Sequence, residues 1–215
     1  IATTLRPVPA RPVVGMVGSM FYPPNVRAVQ WFGRHVWPLV RAACPAAEWW
    51  IVGADPVAAV RRWARLPGVT VTGRVPDVAP YLAQMRVFAN PVTGDLGVQT
   101  KLLMALGAGC ASVVTPDVAA GIDRAVGRPF LVAAAPDTFA AAVLKLLGDD
   151  ALVAELGRQA LALVGAHYTP QGEFARLERW LAGDAAPSSG RFVADTPCPC
   201  DAVTTATPAQ EVAAA

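Results

Sequence analysis

Six short apolar runs punctuate the chain at helix-length intervals: PVVGMV (Pro12–Val17), WWIVG (Trp49–Gly53), VTVT (Val69–Thr72), VFAN (Val87–Asn90), the run opened by Cys110, and FLVA (Phe130–Ala133). Each is strand-length, and most are bounded by Gly or Pro. Runs without polar alternation are buried on both faces, as parallel strands are. Between them lie stretches whose apolar residues recur at helical spacing, such as Val29, Phe32, Val36, Leu39 and Val40. Strand, helix and strand in repetition restrict the chain to an α/β, Rossmann-like, doubly wound parallel sheet of about six strands. Such a sheet binds ligands outside the carboxyl ends of its strands. The loops of interest are therefore Gly18–Asn25, Gly53–Pro56, Gly73–Asp77 and Pro91–Lys101.

Local signals place the helices. Asn25 is expected to cap the first one, and Pro38 to kink or divide it. Pro56 is expected in the first turn of the second helix, Asp77 caps the helix after the third strand, and Asp137 caps the one after FLVA. VAAGID (Val118–Asp123) breaks the alternation. Leu152, Leu156, Leu161 and Val164 continue the helical period until Thr169-Pro170 interrupts it, and Gly172–Leu181 makes a last helix. Trp49 and Trp50, being consecutive, point to opposite faces of their strand. Trp31 and Trp37 pack the first helix or face a neighbouring domain. The expected organisation is a linker over residues 1–11, one domain over 12–183, and a disordered tail over 184–215, rich in Pro, Ser, Thr and Ala.

Composition narrows the function. A net charge of +2 with no basic block argues against a nucleic-acid partner. No apolar run is long enough to span a bilayer. The start, IATTLRPVPARPVV, is broken by proline and has no signal-peptide core, and the lack of an initiator Met points to a fragment or a processed chain. Cys44, Cys110, Cys198 and Cys200 read as structural thiols in a reducing cytoplasm. His35 and His167 lie on helices without a nucleophile signature, and no His/Asp cluster suggests a metal. Asp55 follows the second strand, as the ribose-binding acid of a nicotinamide enzyme would, but GMVGSM is not GxGxxG.

The stretch Asn90–Thr115 (NPVTGDLGVQTKLLMALGAGCASVVT) carries the chemistry. A Gly-containing loop opens a helix with Lys101 in its first turn. Free first-turn amides, the positive end of the helix dipole and a full positive charge together favour a phosphate. An ordinary crossover with a surface lysine is the alternative reading of this stretch alone.

GSMFYPPNVRAVQWF, WWIVG, VTGRVPDVAPYLAQMRVFANP, GVQTKLLMALGAG and VLKLLGD occur in the order seen in family-4 glycosyltransferases of the GT-B fold. From about Pro12 to Leu181 the chain resembles their C-terminal, donor-binding domain. The resemblance implies a retaining hexosyltransferase of polysaccharide biosynthesis that uses an NDP-sugar as donor and needs no cofactor. It also implies a partner N-terminal domain that binds a glycan or lipid-linked acceptor, a cytoplasmic location, and peripheral association with the inner face of the membrane through that domain. The donor domain alone is then expected to be inactive. Gly18 and Ser19 approach the diphosphate in this likeness, and Arg74 and Val75 hold the nucleobase. Gly97, Val98, Gln99 and Thr100 form the turn facing the phosphates, and Lys101 neutralises the departing diphosphate. The chain departs from the family pattern at Met104, where a ribose-gripping glutamate is usual. It departs again at Thr93, Ser19 and Pro24, where cations are usual, and at Ala111, where proline is. A degenerate, non-catalytic binding or scaffold module is the second reading; a nicotinamide-dependent oxidoreductase is a third.

Overall fold

A computed structural model describes residues 5–94, 97–122 and 127–169. The expected helix Gly172–Leu181, the tail and Cys198 and Cys200 lie outside the described residues. Six strands form one sheet: β1 (Val13–Val17), β2 (Glu48–Val52), β3 (Val69–Gly73), β4 (Val87–Asn90), β5 (Ala111–Val114) and β6 (Leu131–Val132). Every adjacent pair is parallel, and the order is β3-β2-β1-β4-β5-β6. The doubly wound α/β sheet expected from the apolar runs is the fold. Helices α1 (Pro23–Trp31), α2 (Trp37–Ala43), α3 (Ala58–Arg61), α4 (Ala79–Gln84), α5 (Thr100–Gly107), α6 (Pro116–Ala120), α7 (Pro136–Gly148) and α8 (Asp150–His167) connect and cover it.

The four central strands are buried on both faces because they are apolar on both. Trp49 turns to one face and lies 5.0 Å from Phe32, 5.8 Å from Trp37 and 5.6 Å from Trp63 between ring centroids. Trp50 turns to the other face and meets Tyr81 of α4 edge-on. Trp31 and Phe32 both pack on Phe139, which binds α7 to the α1 side. Such aromatic pairs add about 0.5–1.5 kcal/mol each beyond their burial. Trp31 and Trp37 are thus spent on packing against the domain's own helices.

Five local expectations change. Tyr22, not Asn25, is the N-cap of α1, because the two prolines Pro23 and Pro24 start the helix earlier. Asn25 is buried in its first turn. Pro56 precedes the helix, which begins after Val57. Asp137 lies in the first turn of α7 rather than at its cap, Ala135. The stretch around VAAGID does hold a helix, α6, started by Thr115-Pro116-Asp117, with the Thr115 hydroxyl accepting from Val118 N–H at 3.4 Å. Asp77 lies one residue before the N-cap of α4, Val78, and accepts from Ala79 N–H at 2.9 Å from there. One expectation holds: the helix divides before Pro38. A π-turn over Phe32–Val36 makes that division, with Trp37 N–H reaching back to Phe32. It widens the helix just where Pro38 cannot donate.

Two arginines fasten the chain at the opposite end of the sheet from those loops. Arg6 donates to the carbonyls of Leu82 (2.8 Å), Ala83 (2.7 Å) and Met85 (2.7 Å) at the C-terminal end of α4. Arg86, buried at the start of β4, donates to Leu146 O (3.1 Å), Pro9 O (3.0 Å) and the Asp150 carboxylate. Its removal strands two carbonyls and leaves a cavity. Arg86→Ala is expected to cost about 3–5 kcal/mol in urea unfolding. Asp150→Ala costs about 1 kcal/mol, since that carboxylate is largely in water.

Candidate functional site

The sheet's order reverses between β1 and β4. The chain leaves β1 toward β2 and leaves β4 toward β5, and the diverging loops open a crevice at the carboxyl ends. A cavity of about 720 Å³ occupies it, within the range of small-molecule sites. One wall is a pair of interlocked loops. Gly18 N–H donates to Val52 O (3.1 Å) and Met20 N–H to Ala54 O (2.8 Å). Gly53 sits so close to this wall that a Cβ there would fall 1.7 Å from Gly18 O. The opposite wall is the turn into α5. Asn90 Nδ2 donates to Gln99 Oε1 at 2.8 Å and so closes the base of the loop between β4 and α5. Gly94 N–H bonds Asp117 of α6 at 2.7 Å.

The cavity is lined by Gly18, Ser19, Arg74, Val75, Val98, Gln99, Thr100, Lys101 and Met104. These residues come from three separate loops and α5. Gly97 is not among the lining residues; its carbonyl abuts Gly121 at the end of α6. Thr93 is exposed and does not line the cavity either. Among the described residues, Arg74 and Lys101 are the only charged ones that line the cavity, and no carboxylate lines it with them. The charge of that lining is positive, which favours an anion. No side chain caps α5 and no acid stands in its first turn, so its open amides add to that field.

Lys101 is the centre of the site. It is only partly exposed, and loss of solvation brings its amine down to about 8. It donates to Asn25 Oδ1 of α1. Arg74 stands at the rim and pairs with Asp55 at 3.1 Å, both in water. Asp55 holds a left-handed backbone, φ 54°, and does not line the cavity. The mouth is apolar: Phe21, Tyr22, Val98 and Met104 are each about half exposed there. Sequence reasoning missed Asn25, Phe21 and Tyr22. For Asn25 a signal exists: it lies on the same helical stripe as Ala28, Val29 and Phe32, and a polar residue on a buried stripe requires a partner.

Other candidates fall outside this chemistry. His35 and His167 are exposed. Burial pushes the Cys110 thiol up to about 11, which makes it inert. Among the described residues no group of three or more His, Cys, Asp or Glu could hold a metal ion.

A profile of the "Glycosyl transferases group 1" family matches residues 11–149, well over half of the chain. The chain belongs to the group 1 glycosyl transferases. Solved structures of such enzymes share the fold. S. aureus TarM, crystallised in one case with UDP, is 17% identical over 85% of this chain and 37% of its own, with a TM-score of 0.59. Anabaena Alr3699/HepE, in complex with UDP and glucose, is 16% identical over 79% of this chain and 48% of its own, at 0.60. The C-terminal domain of a group 1 family protein (LpcC) from Francisella tularensis is 15% identical at 0.55, and 89% of that domain is covered. This glycosyl transferase chain therefore spans less than half the length of TarM and HepE, and nearly all of an isolated C-terminal domain. No curated protein sequence matches it.

Proposed function

We propose that the domain binds the nucleotide-sugar donor of a retaining glycosyltransferase that moves a hexose from an NDP-sugar to a glycan or lipid-linked acceptor. The observation that carries this reading is a cavity at the sheet's switch point whose charged lining groups, among the described residues, are both cations, with Lys101 in the first turn of α5 lining it. A nucleoside diphosphate gathers charge as the glycosidic bond breaks. A fixed ammonium and open amides in a partly dry site stabilise that charge. The presence of UDP in the structures of TarM and HepE supports the same ligand class. Acceptor binding then falls to an N-terminal domain across the cleft, in the cytoplasm and at the membrane's inner face, and this chain alone is inactive.

The test is calorimetric titration with UDP, GDP, dTDP and NAD. One nucleoside diphosphate is expected to bind in the micromolar range, and binding is expected to be lost in Lys101→Ala. No response to any diphosphate would sink the donor reading. Met104 at the mouth offers no acceptor to a ribose diol. It favours the second reading, a binding module without catalysis, which that null result would select.

A further inference from the structure

Asn25 is buried, at 7% exposure, in a helix face that is otherwise apolar. Both ends of its amide are used. Nδ2 donates to Ser19 O at 2.9 Å, in the loop after β1, and Oδ1 accepts from Lys101 Nζ, across the crevice on α5. The first bond fixes the second: with the NH2 group committed to a carbonyl, only oxygen faces the ammonium. Gly18 completes the arrangement. A Cβ there would meet Asn25 Nδ2 at 2.7 Å and approach Lys101 Nζ at 3.5 Å. The loop after β1, six residues away, and α5, 76 residues away, thus converge on one amide.

We propose that Asn25 is the positioning residue of Lys101, a buried neutral acceptor that aims the ammonium into the cavity while leaving its charge uncompensated for an anionic ligand. This rests on the donor-site reading for the identity of the anion. An aspartate there would attract the ammonium but quench its charge, and would lose the bond to Ser19 O. Asn25 is the one side chain to which Lys101 donates. Met16, Val17, Met20, Ala28, Val29, Ala89, Asn90 and Val92 line a small pocket with the two, and none of them titrates. Arg74 is the only other charged residue among the described ones that line the cavity.

The chain has two lysines, Lys101 and the exposed Lys145, so 13Cε labelling resolves each by NMR. In the full chain the Lys101 midpoint is expected at about 8. Asn25→Asp raises it by about one pH unit or more, since an opposite charge favours the ammonium. UDP binding at pH 7 nevertheless weakens about 10-fold, because the new carboxylate competes for the cation. Asn25→Ala weakens UDP about 3- to 10-fold with the far-UV circular dichroism unchanged. A merely structural Asn25 would lower the melting temperature and move neither the midpoint nor the affinity. An unmoved Lys101 midpoint in Asn25→Asp overturns the pairing, and unchanged UDP affinity in both variants overturns the positioning role. If wild type binds no nucleoside diphosphate but the midpoint shifts as expected, the donor reading fails and the pairing of Asn25 with Lys101 stands.

Discussion

Lys101→Met is expected to abolish UDP binding and, at the same time, to make the fold more stable. The two effects share one cause. Lys101 occupies the second position of α5, where the helix dipole is positive and a cation costs about 0.3–1 kcal/mol. It is partly desolvated, and its one acceptor within the site is a neutral amide. Folding therefore lowers the amine from its ordinary 10.5 to about 8. The sign follows by linkage. Below pH 8 the lysine is charged in both states, and the native state bears the cost of holding it. Between 8 and 10.5 the unfolded chain binds more protons than the native one, so stability rises with pH. At pH 7 the deficit is on the order of 1–3 kcal/mol, and methionine, of similar length and helix propensity, removes it. Water from the adjoining cavity can then satisfy Asn25 Oδ1. The melting temperature should rise by about 2–4 °C for each kcal/mol recovered. Urea titrations at pH 7 and pH 10 check this: wild type gains stability between them and Lys101→Met does not. Calorimetry should show UDP affinity down by about 100-fold or more, the scale of one lost charge-assisted contact in a dry site. A variant that loses both binding and stability would show that Lys101 is a structural residue.

Gly53→Ala is expected to destabilise the domain by about 3–5 kcal/mol, among the largest effects available to one added methyl group. The methyl would lie 1.7 Å from Gly18 O and 2.8 Å from Gly18 C, and both atoms belong to backbone that cannot swing aside. The residue also holds φ 153°, outside the ordinary range of side-chain-bearing residues. Relief requires separating the loops after β1 and β2, which are joined by three backbone hydrogen bonds: Gly18 N–H to Val52 O, Met20 N–H to Ala54 O and Val57 N–H to Met20 O. Since Gly18 touches both Asn25 and Lys101, the protein that remains folded should also bind UDP more weakly. Gly165→Ala is the control. Gly165 lies within α8, is exposed, and has nothing within 4 Å of its would-be Cβ. There alanine should add about 0.5–1 kcal/mol, since it costs the helix less backbone entropy. Guanidinium unfolding of the two variants beside wild type reads both effects.

Much of this molecule is legible in its residue order. Each apolar run became a strand because only a strand buried on both faces tolerates such a run, and parallel pairing follows from the helix-length spacing. The turn into α5 was legible for a similar reason: a lysine in a first turn that holds no acid is written in consecutive residues. Local signals failed where two were superposed. Asn25 has the chemistry of a cap, yet the prolines at 23 and 24 had already started the helix and turned the amide inward. Thr115-Pro116-Asp117 begins a helix so short that no apolar period announces it.

Partnership across the crevice could be decided only by the tertiary structure. Asn25 and Lys101 are 76 residues apart, and Arg74 and Asp55 are 19 apart. Gly18 and Gly53 touch only because β1 and β2 lie in register. No period or spacing encodes such meetings, since they depend on how far each loop overshoots its strand. Sequence alone therefore determined that a Gly-containing loop after β4 opens a helix with a lysine in its first turn. The folded sheet decided that its lysine is held by a neutral amide, with an arginine at the rim, because side-chain charge acts through distance in space and not along the chain.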